Sequence, residues 1–218
     1  MIKLSKRLSI VASLIDSNNI IDVGCDHGLL DIYLAQINKD RKIIVSDINE
    51  NALNNAKDNI KKYKLSNQIE ARLGSGLDTL NDNEVDTLVI SGLGANTIVG
   101  ILHNNIFKLK NIKNIIIQSN TNLSFLREKV TKLNYYIEEE IQVKENNIIY
   151  TIIKFVKGKK RYSKKELYFG PILLKKNNKL FKEYNDIEKN KLTHLLKVIP
   201  KNNYLHRLKI FLKLRMYK

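Results

Sequence analysis

The 218-residue sequence contains no tryptophan, only two prolines and a single cysteine. Because Cys25 has no partner, no disulfide can form within the chain, which fits a reducing compartment. The chain has no run of about 18 apolar residues and no charged-then-apolar N-terminal leader. Its four histidines and one cysteine show no metal-ligand spacing. We therefore expect a soluble, cytoplasmic protein that binds neither a membrane nor a metal, and we expect a monomer.

Acidic residues are scarce in the last part of the chain. Residues 158–218 hold 18 Lys and Arg against 4 Asp and Glu, whereas residues 1–157 hold 20 against 18. An AT-rich coding bias towards lysine would act on both parts alike, so it does not explain the asymmetry. The net charge of +16 therefore predicts a polyanionic partner, a nucleic acid, bound chiefly by the C-terminal part.

A short apolar strand at residues 19–23 ends in a turn that contains Gly24 and Gly28. Followed by a helix at 29–35, it forms the first β-turn-α unit of a doubly wound sheet, where backbone approaches a ligand closely. The spacing is not the Gly-x-Gly-x-x-Gly of a dinucleotide site. Asp22 at the strand's end would favour a cationic ligand over a pyrophosphate, which points to S-adenosylmethionine. The alternative is a bare α/β turn with no ligand.

Further strands are predicted at residues 42–46, 68–73, 85–91 and 114–117. Six of the nine glycines fall in three loops just past strand ends, and in an open α/β sheet such loops share one edge, where ligands bind. Asp47 ends the second strand, where a Rossmann-like site hydrogen-bonds ribose hydroxyls. The residues expected to line the cofactor are Asp22, Gly24, Cys25, Asp26, Gly28, Asp47, Ile48, Gly74, Ser75, Gly76, Ser91 and Gly92.

Two strands at 136–143 and 148–156 are joined by a turn so short that they must form an antiparallel hairpin. A parallel sheet closed by such a hairpin is the methyltransferase variant of the Rossmann plan, whereas a dehydrogenase would more often continue with another crossover helix. Helices are predicted at 4–15, 49–64 and 123–133. We therefore expect an α/β fold with a cofactor-binding domain at residues 1–157.

Residues 158–161 read as a linker to a helical extension at 158–218. Apolar residues recur at three-to-four spacing from Leu173 to Ile199, stop at 200–203, and resume at Leu205, Leu208 and Leu212. This pattern predicts an antiparallel helical hairpin of coiled-coil type with lysine-covered outer faces.

Six motifs carry a family resemblance: Leu-Ser-Lys-Arg-Leu at 4–8, Asp-Val-Gly-Cys-Asp-His at 22–27, Arg-Leu-Gly-Ser-Gly-Leu at 72–77, Gly-Leu-Gly at 92–94, Gln-Ser-Asn at 118–120 and Phe-Gly-Pro at 169–171. In this order they resemble the bacterial tRNA (adenine-22-N1)-methyltransferase family. The chain departs at Cys25, where the family often has serine, and at Leu93 and Ala95, where Gly-Met-Gly-Gly is common. The resemblance implies a Rossmann-like class I methyltransferase with a tRNA-binding extension, which uses S-adenosylmethionine to methylate the D-arm of tRNA.

Methyl transfer from a sulfonium is an in-line displacement, so the protein mainly positions the reactants and stabilises charge. Asp26 and Asn120 are the candidate catalytic residues. The candidates for binding tRNA are Arg7, His27, Gln118, Asn120, Lys159, Lys160 and Arg161. As alternatives, His27 could hydrogen-bond only within its own loop, and Asn120 could be a helix N-cap.

The loop at residues 91–96 indicates which atom is methylated. It lacks the Asn- or Asp-Pro-Pro-aromatic sequence typical of enzymes that methylate an exocyclic amine, so we expect the ring nitrogen N1 of adenine. Two other functions stay open: a small-molecule or protein methyltransferase, and a non-catalytic RNA-binding protein with a vestigial cofactor fold. Intact Asp22, Gly24, Asp47 and Gly76 argue against the second.

Overall fold

A computed structural model describes residues 1–217, in which the strands alternate with helices until the C-terminal hairpin of the sheet. The strands are β1 (Asn19–Val23), β2 (Lys42–Asp47), β3 (Ile69–Leu73), β4 (Thr87–Leu93), β5 (Asn114–Ser119), β6 (Tyr135–Glu145) and β7 (Ile148–Lys157). The helices are α1 (Lys6–Ser13), α2 (Leu29–Ile37), α3 (Glu50–Lys62), α4 (Ala95–Asn104), α5 (Leu123–Lys132), α6 (Lys164–Phe169), α7 (Pro171–Lys176), α8 (Lys179–Val198) and α9 (Tyr204–Arg215).

One seven-stranded sheet holds the strands in the order β3-β2-β1-β4-β5-β7-β6. Strands β1 to β5 are parallel, whereas β7 runs antiparallel to both β5 and β6. The predicted Rossmann-like sheet with an antiparallel last hairpin is therefore confirmed. No helix within residues 1–217 is long and apolar enough to cross a membrane.

The central strands are apolar on both faces because helices cover both sides of the sheet. Successive residues point to opposite faces, so Ile20 and Val89 join one buried cluster while Ile21 and Ile90 join the other. At the end of the sheet, Asn146 and Asn147 form the hairpin turn with φ values of 48° and 62°. Positive φ at both central residues suits the twist of the two strands, and asparagine tolerates it better than most residues.

Helix α4 fills the crossover between β4 and β5, where the sequence analysis assigned no helix. Its buried residues Ile98, Val99 and Leu102 face the same apolar cluster as Ile21 and Ile90. The helix follows directly from the third glycine loop, and its N-cap is Gly94. The missed helix therefore contributes a wall to the sheet edge where that loop lies.

The C-terminal part differs in detail from the expected coiled coil. Two short helices, α6 and α7, come first, and Leu173 belongs to α7, where it packs with Phe169 and Phe181 rather than in a hairpin seam. Helices α8 and α9 are joined by residues 199–203, whereas the predicted break was 200–203. The seam residues Leu205 and Leu208 are 77% and 54% exposed, so coiled-coil packing is not confirmed.

A fully buried ion pair attaches α6 and α7 to the sheet. The Arg127 side chain on α5 donates from Nε to Glu140 Oε1 on β6 at 2.6 Å, and from Nη1 to the carbonyl oxygen of Tyr168 at 3.2 Å. Glu140 Oε2 accepts from the backbone N–H of Ile172 at 3.0 Å. A Cβ at Gly170 would lie 2.5 Å from Glu140 Oε2, so only glycine allows this approach.

Because α6 and α7 supply these partners, the parts of the chain before and after residue 157 are in direct contact. The division into domains 1–157 and 158–218 stays a prediction, and Lys218 lies outside the described residues. A chain cut at residue 157 would leave both members of the ion pair without their backbone partners. Tests of the extension are therefore better made by substitution in the full-length chain.

Replacing Glu140 with alanine should destabilise the protein by about 3–5 kcal/mol, because Arg127 would stay buried without its carboxylate. Urea unfolding followed by circular dichroism measures the change. Glu128→Ala on the same helix α5 is the matched control, since its ion pair with Lys132 is exposed and its loss should cost less than about 1 kcal/mol. Equal losses in the two variants would contradict a special role for the buried pair.

Candidate active site

A cavity of about 590 Å³ opens where β1, β2, β3 and β4 end. It is next to the point between β1 and β4 at which the chain reverses its direction across the sheet, the usual ligand site of open α/β sheets. Eleven of the twelve residues expected to line the cofactor line this cavity: Asp22, Gly24, Cys25, Asp26, Asp47, Ile48, Gly74, Ser75, Gly76, Ser91 and Gly92. The three glycine loops do meet, as the sequence analysis predicted.

Gly28 is the exception and needs a correction. It does not line the cavity, and its φ of 65° places its Cα against α3, where an added Cβ would lie 3.4 Å from Ala56. Gly28 therefore allows the start of α2 to pack on α3 rather than allowing a ligand to approach. Gly76 does line the cavity, and its φ of 56° and the 2.9 Å that would separate an added Cβ from Ile101 make glycine necessary there. Its contact with the cofactor stays a prediction.

A groove of about 580 Å³ along the exposed edge strand β3 is similar in volume but differs in chemistry. Its most prominent charged group, Arg72, already pairs with Glu70 and Glu84 at 2.8 and 2.7 Å. These contacts lower the pKa of Glu84 to about 2, chiefly through the hydrogen bond from Arg72. The groove thus lacks the convergent glycine loops and the unsatisfied polar groups of the first cavity.

Asp47 holds the position of an acid that binds ribose hydroxyls. Its Oδ1 accepts from the backbone N–H of Asn49 at 2.8 Å, which fixes the carboxylate at the start of α3. No residue in the described range 1–217 donates to its other oxygen. Beside it, the Ile48 side chain is 76% exposed and lines the cavity, where an apolar surface suits a flat base.

Two interacting carboxyl groups are buried at and beside this site. Asp22 on β1 lines the cavity and is 4% exposed, whereas Asp31 on α2 is fully buried and does not line the cavity. Burial raises the pKa of Asp22 to about 7 and raises the pKa of Asp31 as well. Burial also raises the pKa of the neighbouring Cys25 thiol, so this cysteine stays protonated and is no nucleophile.

A chain of hydrogen bonds connects the cavity to the end of β5: Arg7 and Ser91 line the cavity, whereas Gln118 is fully buried and neither it nor Asn120 lines the cavity. Arg7 on α1 donates from Nη1 to Gln118 Oε1 at 2.5 Å and to Ser91 Oγ at 3.2 Å. Gln118 in turn donates from Nε2 to Asn120 Oδ1 at 2.7 Å. The Arg7 guanidinium also lies 5.4 Å from the centre of the Tyr150 ring, a cation–π contact. Arg7 thus lines the cavity, and its contact with tRNA stays a prediction.

The alternative role for Asn120 is wrong, because the N-cap of α5 is Asn122. Asp26 and His27 both line the mouth of the cavity, with Asp26 Oδ1 and His27 Nε2 3.7 Å apart and both side chains largely exposed. Asp26 has a φ of 48°, so the loop turns sharply at this residue. Both roles of His27, contact with the substrate and contact within its own loop, stay predictions.

The basic linker residues lie far from the cavity. Strand β7 pairs antiparallel with β5, so that Thr151 is opposite Ser119 and Val156 is opposite Asn114. The chain therefore leaves β7 at the amino ends of the parallel strands, about 17 Å from the cavity edge for a six-residue strand. Lys159, Lys160 and Arg161 do not adjoin the site of the reacting base, and their contact with tRNA stays a prediction.

Several cavity residues were missed from the sequence. Leu93, Thr97 and Ile101 line the cavity from the third glycine loop and α4. The apolar spacing of Ile98, Ile101 and Leu102 was a signal for that helix. Asp31 gave no such signal, because one acid inside an apolar helix resembles a surface position until the packing is known.

A family model described as TrmK: tRNA (adenine(22)-N(1))-methyltransferase matches residues 20–215. The chain belongs to this family. It is 29% identical over 187 residues to the tRNA (adenine(22)-N(1))-methyltransferase of Bacillus subtilis, which covers 83% of this chain and 79% of that protein. The match to the family model includes the cavity residues from Asp22 to Ile101 and the C-terminal helices α6 to α9.

Solved structures agree with this assignment. A putative tRNA (m1A22) methyltransferase of Streptococcus pneumoniae, in complex with S-adenosyl-L-methionine, superimposes with a TM-score of 0.88 at 27% identity, over 98% of this chain and 97% of that one. TrmK of M. capricolum, in complex with S-adenosyl-homocysteine, gives a TM-score of 0.85 at 34% identity, over 98% and 95%. The fold of the whole described chain is thus that of the family.

Asp47→Ala should weaken the binding of S-adenosylmethionine by roughly 1.5–3 kcal/mol, the range for losing hydrogen bonds to a charged group. Isothermal titration calorimetry of the full-length protein measures this. Asp58→Ala, on the exposed face of α3, removes the same charge away from the cavity and should leave the dissociation constant unchanged. An unchanged constant in a folded Asp47→Ala variant would remove Asp47 from the site.

Proposed function

We propose that this protein transfers the methyl group of S-adenosylmethionine to N1 of adenine 22 in the D-arm of tRNA, with S-adenosylhomocysteine as the other product. The observation that carries the proposal is the cavity at the sheet's switch point, which combines Asp22, Asp47 and three glycine loops. Related proteins support the proposal as well: the family model matches residues 20–215, and two related structures contain the cofactor or its product.

The residues of the cavity fit this cofactor. Asp22 Oδ1 is buried with no hydrogen-bond donor in the described residues, so it can accept the cationic aminoacyl end. Asp47 would accept hydrogen bonds from the ribose hydroxyls, and Ile48 would cover the adenine ring. Gly24 and Gly76 keep the cavity wall free of side chains. When bound, S-adenosylmethionine supplies an electrophilic methyl group on a sulfonium.

The protein needs no strong general base for this reaction. Adenine N1 has an in-plane lone pair and attacks without first losing a proton, so the residues must position the base and stabilise charge. The methylated base is cationic, and the Asp26 carboxylate at the mouth of the cavity would stabilise the positive charge as it develops. N1 lies on the Watson–Crick edge, so the base must be unpaired or flipped.

Arg7 and Asn120 would hold the base, and the buried Gln118, which hydrogen-bonds to both of them, would position them. Since Asn120 Oδ1 accepts from Gln118, its amide NH₂ group is left to donate. The ring nitrogens of adenine are acceptors, and N1 must stay free to react, so Asn120 would donate to N3 or N7. This assigns Asn120 an orienting role in contact with the substrate.

The basic C-terminal helices would bind the tRNA backbone. Residues 158–218 carry a net charge of +14, and lysines such as Lys189, Lys197 and Lys209 are exposed on α8 and α9. Lysine contacts to phosphates dominate such binding. The location that follows from a tRNA substrate is the cytoplasm, and a monomer remains our expectation.

The methyl group should appear on N1 of adenine 22 and on no other atom. Mass spectrometry of nucleosides from digested tRNA, under conditions that prevent rearrangement of 1-methyladenosine, checks the product, and a tRNA with guanine at position 22 is the control. Finding only N6-methyladenosine or a methylated pyrimidine would refute this assignment. Methylation of a protein or small molecule with no methylation of tRNA would favour the other class of methyltransferase.

Replacing Lys189, Lys197 and Lys209 together with glutamine should weaken tRNA binding about tenfold and reduce its salt dependence by about 2–3 in the log–log slope. Filter binding of the full-length protein from 50 to 200 mM salt measures both. Gln substitutions of Lys61, Lys62 and Lys64, exposed near the end of α3, remove the same charge and should have a much smaller effect. Equal losses would show that only net charge matters.

A further inference from the structure

We propose that Asp31 is a positioning residue for the cofactor. In the ligand-free protein it shares one proton with Asp22, and the cationic end of the cofactor displaces that proton when it binds to Asp22. The proposal deepens the function proposed above, since it rests on a cofactor with an ammonium group. It assigns a role to a residue that touches neither the cofactor nor the substrate.

The geometry shows two acids placed where neither has a protein cation. Asp31 is the third residue of α2 and lies between buried Leu30 and Ile32, with both carboxylate oxygens lacking a hydrogen-bond donor. Asp22 Oδ1 also lacks one. Within residues 1–217, no ion pair joins either carboxyl group to a Lys, Arg or His, and the charged groups that act on the two acids are other carboxylates.

Asp47 at the end of β2 adds to the negative potential of the pair. The Cys25 thiol in the adjoining loop stays protonated and adds no charge. Arg7 on α1 lines the same cavity, but its guanidinium is held by Gln118 and Ser91. Two adjacent buried carboxylates cannot both be ionised without a cation, so the pair must retain one proton.

Binding of a cation changes this balance. In the ligand-free protein, the shared proton offsets the negative charge of the second carboxylate. When the ammonium of the cofactor binds at Asp22 it offsets that charge instead, so the Asp22–Asp31 pair releases its proton to solvent. No other bond forms or breaks. The affinity must then rise with pH, by up to about tenfold per unit, in the range where the free pair is still protonated, and must level off once the pair has lost its proton.

The experiment is calorimetry of the full-length protein with S-adenosylmethionine from pH 5.5 to 7.5. Two buffers of different ionisation enthalpy at each pH count the protons exchanged. For the unaltered protein we expect about one proton released at pH 6, and an affinity that rises with pH. The cofactor's own α-amino group, which titrates near 7.7–8.0, stays charged over most of this range and contributes equally to every variant.

Asp31→Asn should abolish most of the proton release and the pH dependence, because the asparagine amide donates to Asp22 and leaves it ionised. At pH 6 the variant should bind as tightly as the unaltered protein or up to about tenfold more tightly. A purely structural role would weaken binding at every pH by a similar factor. Asp58→Asn on α3 is the matched control and should keep the full pH dependence.

A ligand without the cation provides a second test that needs no variant. Methylthioadenosine lacks the aminoacyl end, so its binding should release no proton and depend little on pH. A pH-independent affinity for S-adenosylmethionine in the unaltered protein, or equal proton release in Asp31→Asn, would overturn the proposal.

The ligand-free protein gives a readout that is independent of the proposed function. Burial raises the pKa of both acids above the unfolded value of 3.8, and that of Asp22 to about 7, so the stability that the raised pKa of Asp22 provides in acid is lost as the pH rises through about 7. The melting temperature of the unaltered protein should therefore fall between pH 5 and 7.5 relative to that of Asp31→Asn. A parallel pH dependence in the two proteins would refute the shared proton even if S-adenosylmethionine binds and tRNA is methylated.

Discussion

The adjacency of β1 and β4 is the constraint on which the rest of this structure depends. After β1 the chain builds the sheet outwards through β2 and β3, and after β3 it returns to the other side of β1. The helices that follow the two central strands therefore lie on opposite faces, and a crevice must open where the strands end. Every residue proposed to hold the cofactor lies at that crevice because a strand or its following loop ends there, not because the residues are close in sequence.

The second requirement is that a basic helical part be held against this sheet. The chain leaves β7 at the edge opposite the cavity, so α6 and α7 must bring it back across the outer strand β6. The buried ion pair between Arg127 and Glu140 holds α6 and α7 in this position. Gly170 allows their backbone to approach Glu140 closely, because it has no side chain. Burying a charged pair at this contact costs solvation free energy. The pair also needs hydrogen bonds from the backbone of α6 and α7, which fixes the position of that backbone.

Local patterns in the sequence were enough to predict the strands, the three glycine loops, Asp47 and the antiparallel hairpin. Each of these features is encoded by neighbouring residues, for example by an apolar run that stops at a glycine. Gly28 was assigned to the ligand because sequence does not show which side of a glycine a neighbouring helix occupies. Asp31, and the pairing of Arg127 with Glu140, depend on contacts between distant segments, which no local pattern records. The placement of residues 159–161 is different, because it follows from the hairpin: a strand antiparallel to β5 must end at the opposite edge.

The hydrogen bonds from Arg7 through Gln118 to Asn120 have a consequence for the symmetry of the site. A carboxamide looks almost the same after half a turn about its last bond, so two of them offer four combinations of orientation. Arginine has no acceptor, which permits only one orientation of Gln118 and, through it, only one of Asn120. The Arg7 guanidinium on α1 thus determines which way the two carboxamide groups at the end of β5 are turned. The hydrogen-bonding groups that Asn120 presents to solvent are therefore fixed by a cation that lies two side chains away.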